Sequence, residues 1–139
     1  MEDITILLPT YNRRKFIFLF LRNIKIQDYP HDKIKVIIND DGQNRFIIDN
    51  NELEYIREEL APIKIDYNYS KMKKTIGQKR NSLIKKCESK IFCFMDDDDI
   101  YMATYLSHSY EVLKKGKYGC VVSDKMLFTM SDNNFDVHA

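Results

Sequence analysis

Four consecutive aspartates, Asp96 to Asp99, follow the apolar run Ile91 to Met95 and form the densest cluster of charge in the sequence. Two unit charges about 4 Å apart repel by about 4 kcal/mol at an effective dielectric of ~20, so such a run needs an offsetting partner. A divalent hard cation is one. Mg²⁺ and Mn²⁺ prefer carboxylate oxygens, usually one or two from the protein together with substrate phosphates. A solvated acidic turn capping the next helix would explain the same residues without a ligand. Placement directly after a buried strand favours the cation. A second acidic group, Asp40-Asp41-Gly42, also follows an apolar run. It reads either as a turn or as a carboxylate accepting a hydrogen bond from a base or ribose beside a loop-shaping neighbour. Tyr11 could pack in the core or stack on a nucleobase. The cations Lys71, Lys73, Lys74, Lys79 and Arg80 read as a solvated basic face or a phosphate clamp. Arg80 stands apart because it lies one turn into a helix whose start should face the same edge as the acidic loops. His31, His108 and His138 have no ligand spacing and read as surface or packing residues.

The elements that must position these groups are legible from apolar periodicity. Ile4 to Leu8, Ile34 to Ile38 and Ile91 to Met95 are short, largely apolar, β-branched or aromatic runs closed by turn residues, as buried strands are, and Ile63 to Tyr67 is expected as the third strand. Between them, 13–27 carries Phe16, Leu19, Phe20 and Ile24 at helical spacing. A weaker helix is expected near 52–60, one of about a dozen residues opens at Gly77, and another ends near Lys115. Tyr118 to Ser123 is expected as a fifth strand and Met126 to Met130 as a sixth. Strands alternating with helices imply an α/β fold, a mostly parallel Rossmann-like sheet with helices on both faces. Ligands in such sheets bind beyond the carboxyl ends of the strands, where strand order reverses. The polar loops Thr10–Arg13, Asp40–Gln43 and Asp96–Asp99 each come directly after a strand and should share that edge.

A chain of 139 residues, 44% apolar, suits one domain with a real core, and no second domain is expected. With 22 basic and 21 acidic residues it has no global field to attract nucleic acid or an anionic membrane. The odd set Cys87, Cys93 and Cys120 lacks metal-ligand spacing, and Cys93 and Cys120 lie in apolar runs where thiols pack as small hydrophobes. No stretch reaches the ~18–20 apolar residues of a membrane span, and no signal-type segment opens the chain. A soluble, cytoplasmic protein is expected.

Leu8-Pro9-Thr10-Tyr11-Asn12-Arg13 resembles the opening motif of glycosyltransferase family 2, and Val36 to Gly42 resembles its second-strand Asp-Asp-Gly signature. Gly77-Gln78-Lys79-Arg80-Asn81 is similar to the family's Gly-x-x-Arg-Asn helix start, and Phe94 to Asp99 matches its Asp-x-Asp metal motif, all in the family's order. The resemblance implies a GT-A fold and transfer of a sugar from a nucleoside diphosphate donor, UDP-linked in preference, to a hydroxyl acceptor with Mn²⁺ or Mg²⁺. It implies that Thr10 and Tyr11 frame the base, that Asp40 hydrogen-bonds it, and that Arg80 meets the ribose or diphosphate. Asp98 would be the main metal ligand, with Asp96 and Asp97 touching metal, ribose or sugar. Pro9, Asn12, Arg13, Asp41, Gly77 and Lys79 complete the implied nucleotide-sugar site.

Family members continue past the metal motif into an acceptor half that holds the catalytic carboxylate. The expectation is therefore a single donor-binding domain over 1–139 without that half, binding donor but transferring sugar poorly. Asp124 is the weak candidate for the base. Competing readings are a non-catalytic nucleotide-sugar-binding module, a nucleotidyltransferase, disfavoured because Pro9 to Arg14 contains no glycine, and a phosphoacceptor domain, whose acidic pair would follow strand one.

Overall fold

The structure, a computed structural model, describes residues 1–116 and 119–122, with the backbone alone at 128–129 and 137–138. Two compact units divide the chain, Met1–Ser107 and His108–Ala139. The first contains β1 (Ile4–Thr10), α1 (Ile17–Lys25), β2 (Ile34–Asp40), α2 (Asn50–Leu60), β3 (Lys64–Tyr69), α3 (Ile76–Lys86) and β4 (Ile91–Phe94). A last helix, α4 (Tyr105–Lys115), begins there, and the second unit holds a two-residue antiparallel pair, β5 (Phe128–Thr129) and β6 (Val137–His138).

The sheet runs β3-β2-β1-β4 and is parallel throughout, with Ile4 level with Ile34 on one side and with Ile91 on the other. Right-handed crossovers from β1 to β2 to β3 put α1 and α2 on one face, and the return from β3 to β4 puts α3 on the other. Side-chain alternation agrees. Leu7 and Ile37 pack with Leu83 of α3, while Ile6, Leu8, Val36 and Ile38 point to the opposite face and are equally buried. On that second face the rings of Phe20 and Phe46 meet edge-on at 5.9 Å. The reversal of strand order falls between β1 and β4.

β1 runs two residues beyond the apolar stretch, through Pro9, although proline cannot donate to a ladder. The Met95 N–H donates to Leu7 O at 3.3 Å, so Leu7 faces β4, and by alternation Pro9 also faces that side, past the last β4 partner. Its missing N–H therefore costs no sheet hydrogen bond. Capping sets the helix starts. Asp49 caps α2 through Glu52 N–H at 2.9 Å, and Thr75 and Gln78 form a reciprocal box at the head of α3. The expected helix over 13–27 divides into a 3-10 turn at Arg14–Phe16 and α1 proper.

The expected fifth strand is not formed over the described residues 119–122, and Cys120 there is exposed, not packed. An apolar run becomes a strand only where a sheet edge pairs with it. Among the described residues, no helix is long and apolar enough to cross a membrane.

Candidate functional site

The β1 and β4 loops meet at the reversal of strand order. Thr10, the last residue of β1, donates its hydroxyl to Asp97 Oδ2 at 2.6 Å, and both residues are buried. One turn further on, Arg13 pairs with Asp98 at 3.8 Å, both side chains being about half exposed. The four-aspartate run thus alternates. Asp97 points into the protein, whereas Asp96 and Asp98 are exposed and Asp99 is half-buried. Burial pushes the Asp97 carboxyl up, and the Asp98 and Asp96 charges add to this against the Thr10 bond and Arg13. Asp99 is raised by burial and then by the Asp96 and Asp98 charges.

The β2 loop supplies a second buried acidic pair, and its carboxylates are committed inside the protein. Asp40 accepts from Gly42 N–H at 2.9 Å on Oδ1, and from Phe46 N–H at 2.8 Å and Tyr67 O–H at 2.6 Å on Oδ2. It is 2% exposed. In the structure this carboxylate holds the loop that follows β2. Burial, then hydrogen bonding to this carboxylate and its charge, raise the Tyr67 hydroxyl well above the ordinary phenol value.

Asp41 points to the opposite face. There it accepts from Lys79 Nζ at 2.7 Å and from Lys74 N–H at 2.6 Å, and Lys79 also donates to Thr10 O at 3.1 Å. Burial pushes the Asp41 carboxyl up, but Lys79 and the Lys74 N–H together outweigh it and hold the group below its ordinary value. Lys79 is itself buried, so it is a tie between α3 and the ends of β1 and β2 and is not presented to solvent.

Gly42 is required by a close approach. A Cβ there would collide with the backbone N of Asn12 and lie 2.7 Å from Asn12 Oδ1. Asn12 has φ 52°, in the left-handed region that Asn tolerates, and its Oδ1 accepts from Asn44 N–H at 2.9 Å, fastening the β1 loop to the β2 loop. Gly77 is the opposite case. A Cβ on it would meet nothing within 4 Å, which leaves the first turn of α3 open to an approaching group.

The residues named from sequence therefore fall into two sets. Pro9, Thr10, Asp40, Asp41, Lys79 and Asp97 are buried and form a frame. Asn12, Arg13, Gly77, Arg80, Asp96 and Asp98 are exposed, and Tyr11 is intermediate. Lys73 Nζ lies 4.6 Å over the Tyr11 ring, and the Arg80 guanidinium lies 5.3 Å over Phe94. Asp124 is outside the described residues. Among the described residues no three His, Cys, Asp or Glu side chains converge as a ready-made cation cage. Two concavities flank β3, one of about 470 Å³ lined by Lys35, Arg57 and Lys85 among others, one of about 360 Å³ lined by Arg45, Tyr67 and Tyr69 among others. Neither is lined by any of Asp96 to Asp99.

Sequence reasoning missed Asn23 and Gln27 of the α1 segment, which are buried and bonded to the loop after the aspartates. The signal was present: polar amides four residues apart on the apolar stripe that includes Phe20 and Ile24.

The sequence profile of glycosyl transferase family 2 matches residues 5–138. The poly(ribitol-phosphate) beta-N-acetylglucosaminyltransferase TarS of Staphylococcus aureus (strain Mu50) is 26% identical over 99 residues, which make up 71% of this chain and 17% of that protein. Among solved structures, the mannosyltransferase PcManGT from Pyrobaculum calidifontis in complex with GDP-Man and Mn²⁺ superposes with a TM-score of 0.68 at 20% identity, over 80% of this chain and 34% of that one. S. aureus TarS 1–349 in complex with UDP-GlcNAc gives 0.65 at 21% identity, over 81% and 31%. The shared fold is the GT-A core with its mostly parallel sheet. The chain spans about a sixth of the length of TarS.

Proposed function

The chain belongs to glycosyl transferase family 2, and from that premise we propose that it binds a nucleoside diphosphate sugar, UDP-linked in preference, with Mn²⁺ or Mg²⁺, for transfer of the sugar to a hydroxyl acceptor. The observation that carries this reading is the junction of the β1 and β4 loops. The Thr10–Asp97 bond turns one carboxylate of the run inward and leaves Asp96 and Asp98 facing solvent, where strand order reverses. Two exposed carboxylates fit a hard divalent cation, which takes few protein ligands when a diphosphate supplies the rest. Bound there, the cation supplies Lewis-acid neutralisation of the departing diphosphate.

The chain's own residues account for the rest of donor binding. Tyr11 offers its ring to the base once the Lys73 ammonium moves off it towards phosphate. The open first turn of α3 at Gly77 and the Arg80 guanidinium receive phosphate oxygens. Arg13 passes from Asp98 to the diphosphate when a cation takes over that carboxylate. Thr10, Asp40, Asp41, Lys79 and Asp97 hold these groups in place from beneath. The uridine preference rests on likeness to TarS, whose structure contains UDP-GlcNAc, and the cation is further supported by the Mn²⁺ of PcManGT. The cytoplasm is the proposed compartment, in keeping with three unpaired thiols.

The test is a calorimetric titration of UDP with Mn²⁺ and with chelator, on wild type and Asp98→Asn. Wild type should bind UDP at least about tenfold tighter with Mn²⁺, a difference of ~1.4 kcal/mol, and Asp98→Asn should lose that gain. Equal affinity under all four conditions would overturn the assignment, and ADP binding as tight as UDP would overturn the base preference.

A further inference from the structure

The aspartate run carries mutually repelling charge, and a loop of that kind holds one conformation only if other bonds hold its backbone. Those bonds come from α1 and the residues that follow it. Asn23 Nδ2 donates to Asp99 O at 2.8 Å, and Asn23 Oδ1 accepts from Tyr101 N–H at 3.1 Å. Gln27, four residues on, donates through Nε2 to Met102 O at 3.0 Å and accepts on Oε1 from Leu106 N–H at 3.1 Å. Gln27 Nε2 also donates to Asn23 O at 3.0 Å, so the two amides are linked. The Asp28 N–H adds a bond to Ala103 O at 3.0 Å. Asn23 is fully buried and Gln27 is 3% exposed, so water does not compete for these bonds. The clasp reaches the head of the run as well. Tyr101, held through its N–H by Asn23, accepts on its hydroxyl oxygen from Asp96 N–H at 2.8 Å. Both ends of the four-aspartate turn are thereby tied to one helix, and the ties go to backbone groups, leaving the carboxylates of Asp96 and Asp98 untouched.

We infer that Asn23 and Gln27 are positioning residues for cation-dependent donor binding: they fix the backbone from which Asp96 and Asp98 present their oxygens, without touching ligand themselves. This rests on the reading of Asp96 and Asp98 as cation ligands. A ligand pair of fixed geometry gains affinity because the ordering cost is met before the cation arrives. The clasp therefore sets the Mn²⁺ concentration at which UDP binding tightens, and it has little influence on the metal-free contacts of UDP with Tyr11 and Arg80.

The experiment titrates UDP into the chain over a series of MnCl₂ concentrations and in chelator, for wild type, Asn23→Asp and Gln27→Met. Asn23→Asp keeps the acceptor for Tyr101 N–H but turns an oxygen against Asp99 O, and Gln27→Met keeps volume while deleting both loop bonds. Each variant is assayed at a temperature where its far-ultraviolet circular dichroism matches that of wild type. The expected result is a Mn²⁺ midpoint raised about tenfold or more in both variants, with metal-free UDP affinity within about twofold of wild type. Midpoints within twofold of a Mn²⁺-responsive wild type would overturn the clasp while leaving the functional reading intact. So would a parallel loss of metal-free affinity, which is what general loosening produces. A wild type indifferent to Mn²⁺ would overturn the cation reading and this inference with it.

Discussion

Replacing Thr10 by valine removes one hydroxyl and keeps the branched shape, which isolates the bond joining β1 to β4. Thr10 and Asp97 are 2% and 5% exposed and 2.6 Å apart, so no water replaces the lost donor. A hydrogen bond to a charged group contributes about 1.5–3 kcal/mol, and a buried acceptor left unsatisfied costs a comparable amount. With an unfolding entropy of about 2.1 cal/mol/K per residue, such a loss lowers Tm by roughly 5–10 °C at neutral pH. The pH dependence is what separates this mechanism from simple packing damage. In wild type the Asp97 pKa is already raised, first by burial and then by Asp98 and Asp96. A raised folded pKa means that the group's contribution is fully present below the ordinary value of 3.8 and is lost as pH rises through the folded pKa. Without the Thr10 donor the folded pKa climbs further, so the charged form at neutral pH is penalised more and the protonated form is not. Thermal melts of wild type, Thr10→Val and Thr10→Ser between pH 7 and pH 4 should show a Thr10→Val deficit that shrinks on acidification, with Thr10→Ser close to wild type. A deficit that is constant or grows towards low pH would refute the reasoning.

The two glycines should respond oppositely. Gly42→Ala drives a Cβ into the Asn12 backbone and should cost about 1–3 kcal/mol in urea unfolding, whereas Gly77→Ala meets no atom and should gain ~0.5–1 kcal/mol while weakening UDP binding. Equal effects at the two positions would contradict the geometry. Lys79→Met leaves Asp41 buried without its cation and should cost about 3–5 kcal/mol at pH 7. Because Lys79 helps hold the Asp41 pKa low, wild type loses that contribution as pH falls below about 3.8, so urea midpoints of the two proteins should converge in acid. Tyr11→Leu should weaken UDP by about 1–3 kcal/mol in calorimetry, and unchanged affinity would place the base elsewhere.

The sequence by itself determined the alternation of elements and the edge on which the polar loops gather. Runs such as Ile4–Leu8 and Ile34–Ile38 are apolar at four of five positions, as strands buried on both faces are. Each run ends directly in its polar loop, so the loops inherit a common edge from chain direction alone, and motif order along the chain sufficed to identify the family. Two aspects of the site were beyond local pattern. One is which member of an acidic pair faces inward: Asp40 and Asp41 point to opposite faces, and what fills each oxygen, Tyr67 and Phe46 for one and Lys79 for the other, depends on segments up to 38 residues away. The same holds for Asp97, turned inward by a threonine 87 positions earlier. The other is the clasp. Asn23 and Gln27 sit on an apolar helical stripe where sequence reasoning counts only hydrophobes, and their value lies in backbone groups of a loop more than 70 residues on. Periodicity reports which face of an element is buried, whereas the partners of a buried polar group are decided by the packing of distant segments, and only the tertiary structure holds that information.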